Sequence, residues 1–357
     1  MNRVVSALLE TGVPIFIRNS EAETQATCRR KWYFSGALHR NLMPLGEPIA
    51  ALWFGTGFHF SLEDFHGYNR FGDPRKAFTA YINAHREGEL PPEWPELIDL
   101  ADQMLGYYLD HWLPRRNDLE TLWIDGVPQV EVRWEVPVPG TRVTATGTFD
   151  RVARDPWGRL VLVDYKTYKR QDSEKLEMDR QVSTYLWAAN QLYGEVLGLY
   201  HYQFTKAKPE YPREIRGGGF SQDRSQSVTY ALYHAALIEK YFTVPQSYVA
   251  FLNYLTQQET PDGDMLIRRT LATRSPVFLA HHALAISAQY GEMSDPNLPI
   301  YPAPGYNCKF CPFRQPCLAT DLEADAEFLL QAGYVSRSQP VAWQARLEWP
   351  DGMVGVS

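Results

Sequence analysis

The stretch Leu160–Val161–Leu162–Val163–Asp164–Tyr165–Lys166–Thr167 constrains the fold more than any other part of the chain. It is an apolar run that ends in an acid and a lysine two residues apart. In a strand, Leu160, Leu162, Asp164 and Lys166 point to one face. A carboxylate and an ammonium at the end of a buried strand are costly unless they are paired or used. Upstream, Val143 to Ala153 is rich in β-branched residues and free of proline, which also reads as a strand. Between the two, Arg154–Asp155–Pro156–Trp157–Gly158–Arg159 carries the Pro and Gly of a turn. A hairpin over this region brings Asp150 close to Asp164 and Lys166. A salt bridge at a strand end is the plain reading of those three residues. The chemical reading is that hard oxygen ligands suit Mg²⁺ or Mn²⁺. A lysine beside them can position a water or offset charge developing on a phosphate.

At this point the sequence resembles the PD-(D/E)XK nuclease superfamily, whose core motif is D…(D/E)-x-K on such a hairpin. Here it stands as Asp150…Asp164–Tyr165–Lys166. The resemblance extends in both directions. Gly55 to His59 has the spacing of the G-x-x-x-H helix that RecB-type members carry upstream, where the His is a metal ligand; a lone His is otherwise a satisfied core or surface residue. The glycines are expected to open a helix on which His59, Glu63 and His66 fall on neighbouring faces. Downstream, residues 174–193 repeat apolar side chains at helical spacing, with Leu176, Met178, Val182, Leu186, Ala189, Leu192 and Tyr193 on one stripe. Gln181 and Tyr185 sit four apart on it, a polar helix edge by itself. They match the Q-x-x-x-Y motif of the RecB group, which helps order the active site and the DNA strand.

Four cysteines complete the set. Cys308, Cys311 and Cys317 form C-x₂-C-x₅-C, a spacing suited to one metal centre, and Cys28 is the only other cysteine. Alone, Cys28 reads as a small buried hydrophobe. By spacing, the four could hold zinc or a 4Fe–4S cluster. The layout resembles iron–sulfur nucleases of the RecB group, with one cysteine before the nuclease core and C-x₂-C-x₅-C after it. The group of CRISPR-associated (Cas-four-type) exonucleases and their phage relatives has this layout. The resemblance implies an α/β fold with a mixed central sheet flanked by helices, helical insertions and an iron–sulfur staple joining the two ends. It implies His59, Asp150, Asp164 and the Tyr165 carbonyl as metal ligands, Lys166 as the group that positions water, and Gln181 and Tyr185 as supports. It implies a DNA exonuclease acting on single-stranded or end-containing DNA in recombination, repair or phage DNA processing. The alternative is an inactive or partner-dependent DNA-binding subunit of a helicase or CRISPR-adaptation assembly. No P-loop occurs, so any motor belongs to a partner.

The rest of the chain sets bounds. With 45% hydrophobic and 22% charged residues over 357, it is an ordinary globular sequence, long enough for one elaborated domain. We divide it into an N-terminal helical part at 14–66, a helical insertion at 67–126, the core at 127–208, a second helical insertion at 209–300 and a cysteine-bearing part at 301–335. The net charge of −7 runs against bulk polyanion binding, so DNA contact must rest on a local groove or on cations at the acidic site. No secretory start or membrane-length apolar run is present, and a cytoplasmic location is expected.

Finer expectations follow from pattern. Ser20, with Glu23 three residues on, is expected to cap a helix running through Cys28 to Tyr33. Breaks are expected at Asp73–Pro74, Leu90–Pro91–Pro92 and Trp94–Pro95. Tyr107, Tyr108 and Trp112 belong to the core. Val127 to Val138 alternates as a half-buried strand, with Glu131 either on a solvated strand face, the preferred reading, or facing the site. Another strand spans Leu199 to Phe204, with Lys206 and Lys208 beyond it. Gly217–Gly218–Gly219 is a loop. Helices are expected at 228–242, 246–256, 276–291 and from about Asp321. Arg268, Arg269 and Arg274 form a basic run, either a solvated face or a DNA-backbone contact. Trp343 and Trp349 lie in a tail with no assignment.

Overall fold

The computed structural model describes residues 14–45, 50–85, 93–116, 118–169 and 174–337. Strand β1 (Ile15–Arg18) leads into helices α1 (Asn19–Thr27) and α2 (Arg29–Ser35). The single helix expected here is two, because Cys28 is extended at the junction. Its Sγ takes the Lys31 N–H and so caps α2, while Ser20 caps nothing. A short strand, β2 (Leu42–Pro44), precedes the long helix α3 (Ala50–His66). The glycines lie inside α3 and do not open it. A Cβ at Gly57 would meet the rings of Phe78 and Tyr81 at 2.9 Å. Close packing explains a residue that costs a helix interior about 1 kcal/mol.

Helices α4 (Pro74–His85) and α5 (Trp94–Tyr107) follow, then a π-helical turn at Tyr108–Trp112 and α6 (Leu113–Arg116). Pro74 opens α4 as expected. Trp94–Pro95 likewise marks the start of a helix, since proline is tolerated in a first turn. The Leu90–Pro91–Pro92 break lies outside the described residues. Tyr107, Tyr108 and Trp112 are buried. Three two-residue strands come next, β3 (Glu120–Thr121), β4 (Trp123–Ile124) and β5 (Val127–Pro128).

The central strands are β6 (Val130–Pro137), β7 (Val143–Arg154) and β8 (Leu160–Tyr168). A 3₁₀ turn at Glu174–Met178 precedes α7 (Arg180–Tyr193), and β9 (Gly198–Thr205) follows. The helix expected from 174 starts later, with the Asp179 carboxylate capping the Val182 N–H. Met178 and Leu192 are exposed, off the apolar stripe. Beyond lie α8 (Tyr230–Tyr241), α9 (Val249–Gln258), β10 (Ile267–Ala272), α10 (Pro276–Met293), α11 (Arg314–Asp321), α12 (Ala326–Gly333) and β11 (Tyr334–Ser336). Residues 209–300 are therefore not wholly helical: β10 closes the sheet against β9. The helix expected from about Asp321 is α12, which starts at Ala326, and α11 before it ends at Asp321. Trp343 and Trp349 lie outside the described residues.

Among the described residues, seven strands form one mixed sheet in the order β1-β7-β8-β9-β10, with β3 and β6 also paired to β7. β1 and β7 are parallel, β7 and β8 antiparallel, β8 and β9 parallel, and β9 and β10 antiparallel. Each face buries its own core, as β8 shows. Val161, Val163 and Tyr165 pack toward α3, α5, α8 and α9. Leu162 packs toward α7 and α10. A run with no polar residue from 160 to 163 is what a strand covered on both faces requires. Burying each such side chain contributes about 1.5–3 kcal/mol.

Candidate metal centre

The pairing of β7 with β8 runs from Arg154–Leu160 to Arg151–Val163 and stops there. The next opposed residues are Asp150 and Asp164. Asp150 Oδ2 instead accepts the Tyr165 backbone N–H at 2.7 Å. The two acids therefore stand at a fork in the hairpin, with Lys166 one step beyond. Lys166 Nζ lies 2.6 Å from Asp164 Oδ1. All three expected core residues come together.

His59 arrives from α3, which packs against β6, β7 and β8. Its Nδ1 lies 3.4 Å from Asp150 Oδ2 and 3.8 Å from Glu131 Oε1. His59, Glu131 and Asp150 each place a ligand atom within 4.8 Å of the others, the one such trio among the described residues. Glu131 takes the site-facing position that the sequence left as the second reading, not the solvated one it preferred. The pairs Val130–Arg151 and Val132–Phe149 flank it, so it sits opposite Asp150. Its φ of 46° puts it in the left-handed region, which breaks the alternation kept by Trp134 and Val136. Backbone strain of this kind leaves no trace in a hydrophobic pattern.

Asp164 does not join that trio. Its Oδ1 is held by Lys166 and its Oδ2 lies 2.9 Å from His201 Nδ1. His201 sits on β9 directly beside Asp164. It is buried, and nothing in the sequence around it marks it. The signal was available only through strand register. The Tyr165 side chain is buried in the core beneath α3 and stacks on the His66 ring. Gln181 Nε2 donates to the Tyr185 hydroxyl at 2.9 Å. The Tyr185 ring meets Phe149 and Trp134 edge-on, which sets the pair beside the acid strands.

The electrostatics are those of a buried excess of acid. Burial pushes Asp150 up to about 6, although Lys166 and His59 pull it back. Burial also raises Asp164, but Lys166 and His201 overcome it and hold the carboxyl well below its usual range. Burial lowers Lys166, yet Asp164 and Asp150 drive it well above the ordinary lysine value. Burial, with Glu131 adding to it, pushes Glu63 on α3 up to about 9. One Glu63 oxygen is buried without a hydrogen-bond partner. An imidazole and converging carboxylates with this surplus of negative charge are a donor set that fits Mg²⁺ or Mn²⁺.

The cysteines are all free and half-buried. Cys28 Sγ accepts N–H groups from Lys31 and Ala303 at 3.5 Å. Arg30 Nη1 lies 3.8 Å from Cys317 Sγ and pairs with Asp321. Cys311 and Cys317 pack on a small cluster of Phe34, Phe313 and Leu330. The chain's early and late parts are thus sewn together here, but no three of the sulfurs converge as the His59 trio does. Two of the three arginines of the basic run are used internally. Arg269 pairs with Asp118, and Arg274 donates to Ser183 Oγ and the Leu176 carbonyl.

No helix among the described residues is long and apolar enough to cross a membrane. No curated protein matches the chain. The family model of the PD-(D/E)XK nuclease superfamily matches residues 19–318, a span that takes in the fork, the His59 helix and all four cysteines. On that match and the mixed sheet beneath it, the chain belongs to the PD-(D/E)XK nuclease superfamily.

Proposed function

We propose that the chain is a metal-dependent DNA exonuclease hydrolysing phosphodiester bonds on single-stranded or end-containing DNA. The observation that carries this reading is the trio His59, Glu131 and Asp150 beside the Asp164–Lys166 pair. His59, Asp150 and Asp164, with the Tyr165 carbonyl, would hold Mg²⁺ or Mn²⁺, and Glu131 joins them. A bound divalent ion would polarise a phosphoryl oxygen and lower the pKa of a bound water. Lys166 would orient the attacking water toward phosphorus and offset charge on the phosphate oxygens. The water oxygen bonds to phosphorus as it gives up a proton to solvent, the phosphorus–oxygen ester bond breaks, and the leaving oxygen takes up a proton from solvent. Gln181 and Tyr185 support the strand beside the reacting phosphate.

The test is digestion of end-labelled single strands, linear duplexes and closed circles with Mn²⁺ and Mg²⁺, wild type beside Lys166→Ala. Loss of linear DNA only, abolished by the substitution, supports an exonuclease. Cutting of circles makes the protein an endonuclease. No cutting of any form overturns the reading, and activity gained only on adding a helicase or recombination partner transfers it to an assembly.

We also propose that Cys28, Cys308, Cys311 and Cys317 hold a 4Fe–4S cluster that staples the two ends of the nuclease part. Four free thiols, with N–H donors on two of the sulfurs, support it. Anaerobically purified protein should be brown and contain iron and acid-labile sulfide. Colourless protein with stoichiometric zinc rejects the cluster and leaves the nuclease reading intact.

A further inference from the structure

We infer that His201 is a positioning residue, fixing the Asp164 carboxylate and through it Lys166; the inference rests on the nuclease reading above. The strand register carries it. β8 and β9 run parallel with Asp164 beside His201 and Lys166 beside Gln203, which puts both β9 side chains on the acid–lysine face. His201 is only 4% exposed. Its Nδ1 lies 2.9 Å from Asp164 Oδ2, at ion-pair distance but off the line of a hydrogen bond. Its Nε2 lies 3.3 Å from the Tyr168 hydroxyl. An ionised carboxylate only accepts, so Nδ1 carries the proton and Nε2 accepts from Tyr168.

The physical need is rotational. A carboxylate held through one oxygen can turn about its own axis, and Lys166 holds only Oδ1. His201 stands at ion-pair distance from Oδ2, so both oxygens have a polar neighbour and the swing of the group is restricted. Lys166 then meets a fixed acceptor instead of a swinging one. Apolar filling would not explain the residue, since a buried imidazole without partners costs about 1–3 kcal/mol. Both ring nitrogens find polar atoms only because the ring stands between Asp164 and Tyr168. Removing such an outer partner typically costs about 10–100-fold in metal affinity or activity.

The experiment uses the full chain as wild type, His201→Ala, His201→Asn and Tyr168→Phe. Asparagine returns a donor near the place of Nδ1. Three readouts are taken: Mn²⁺ affinity by paramagnetic titration with the metal alone, kcat and KM on end-labelled linear DNA, and thermal unfolding. His201→Ala should lower kcat and Mn²⁺ affinity by about 10–100-fold with KM unchanged. His201→Asn should recover most of the loss, and Tyr168→Phe should lower kcat by a few fold with its melting temperature intact. The proposal is overturned if His201→Ala keeps wild-type kcat and Mn²⁺ affinity. It is equally overturned if the Asn variant is as impaired as the Ala variant, the mark of a mere filler. Should His201→Ala fail to fold, wild-type kcat in Tyr168→Phe or an inactive, folded His201→Asn overturns it. Wild-type protein that neither binds Mn²⁺ nor cuts DNA overturns the nuclease reading and this inference with it. Wild-type cutting matched by His201→Ala overturns this inference alone.

Discussion

Lys166 Nζ and Asp164 Oδ1 lie 2.6 Å apart on one face of β8. The pair is half-sheltered on the lysine side and buried on the acid side. Removing only the lysine leaves a buried carboxylate whose remaining partner is His201. Lys166→Met should therefore abolish cleavage and destabilise the metal-free protein by about 1–3 kcal/mol, the cost of an uncompensated buried group. Asp164→Asn added to it should recover part of that stability and none of the activity. Urea unfolding of the single and double variants decides this, and additive losses would show that the two groups act separately.

Gly147 lies directly across from Trp134, and a Cβ built on it would come within 2.4 Å of the indole. The same indole meets Phe149 and Tyr185. Gly147→Ala should push the ring out of this stack and destabilise the fold by about 1–3 kcal/mol, the usual range for overpacking. Because Tyr185 is bonded to Gln181, cleavage should fall as well. A variant with wild-type urea midpoint and rate would mean that the indole yields freely.

Much of this arrangement is legible in the sequence, and the limits are physical. The strands β7 and β8 announce themselves by β-branched runs, and the fork residues by an acid and a lysine at the end of one. The Gln181–Tyr185 pair follows from helical spacing alone. What escapes is whatever depends on register or strain. His201 is an unmarked residue in an aromatic strand until β9 is laid beside β8. Glu131 obeys alternation on paper and leaves it in three dimensions because its φ is positive. Cys28 looks like a mid-helix residue, yet it is extended and ends one helix as it caps the next. β10 was hidden because its arginines read as surface, whereas Arg269 turns inward to Asp118.

Glu63 gives the metal-free protein a pH dependence with a definite sign. Unfolded, its carboxyl titrates near 4.5; folded, burial and Glu131 hold the proton to about 9. A raised value means that its contribution to stability is complete below about pH 4.5 and is lost as pH climbs toward 9. Glu63→Gln keeps the neutral form at every pH. Its melting temperature relative to wild type should therefore rise steadily from pH 5 to pH 9. Parallel melting curves over that range would show that Glu63 ionises freely in the folded state.

Glu131→Gly separates the backbone at this position from the carboxylate it carries. The residue sits at φ 46°, where a side chain costs about 1–2 kcal/mol and glycine costs almost nothing. The carboxylate also raises Glu63 and crowds Asp150. Both effects act against the metal-free fold, so Glu131→Gly should raise its stability by about 1 kcal/mol. The same change removes one of the three ligand atoms that converge with His59 and Asp150. Mn²⁺ affinity should fall by about tenfold or more, at least what the loss of a ligand's outer partner costs. Glu131→Ala should lose affinity equally but gain less stability, since it keeps the Cβ and the strain. A Glu131→Gly protein that binds Mn²⁺ as wild type would remove Glu131 from the metal centre, and the left-handed backbone would then stand without a function.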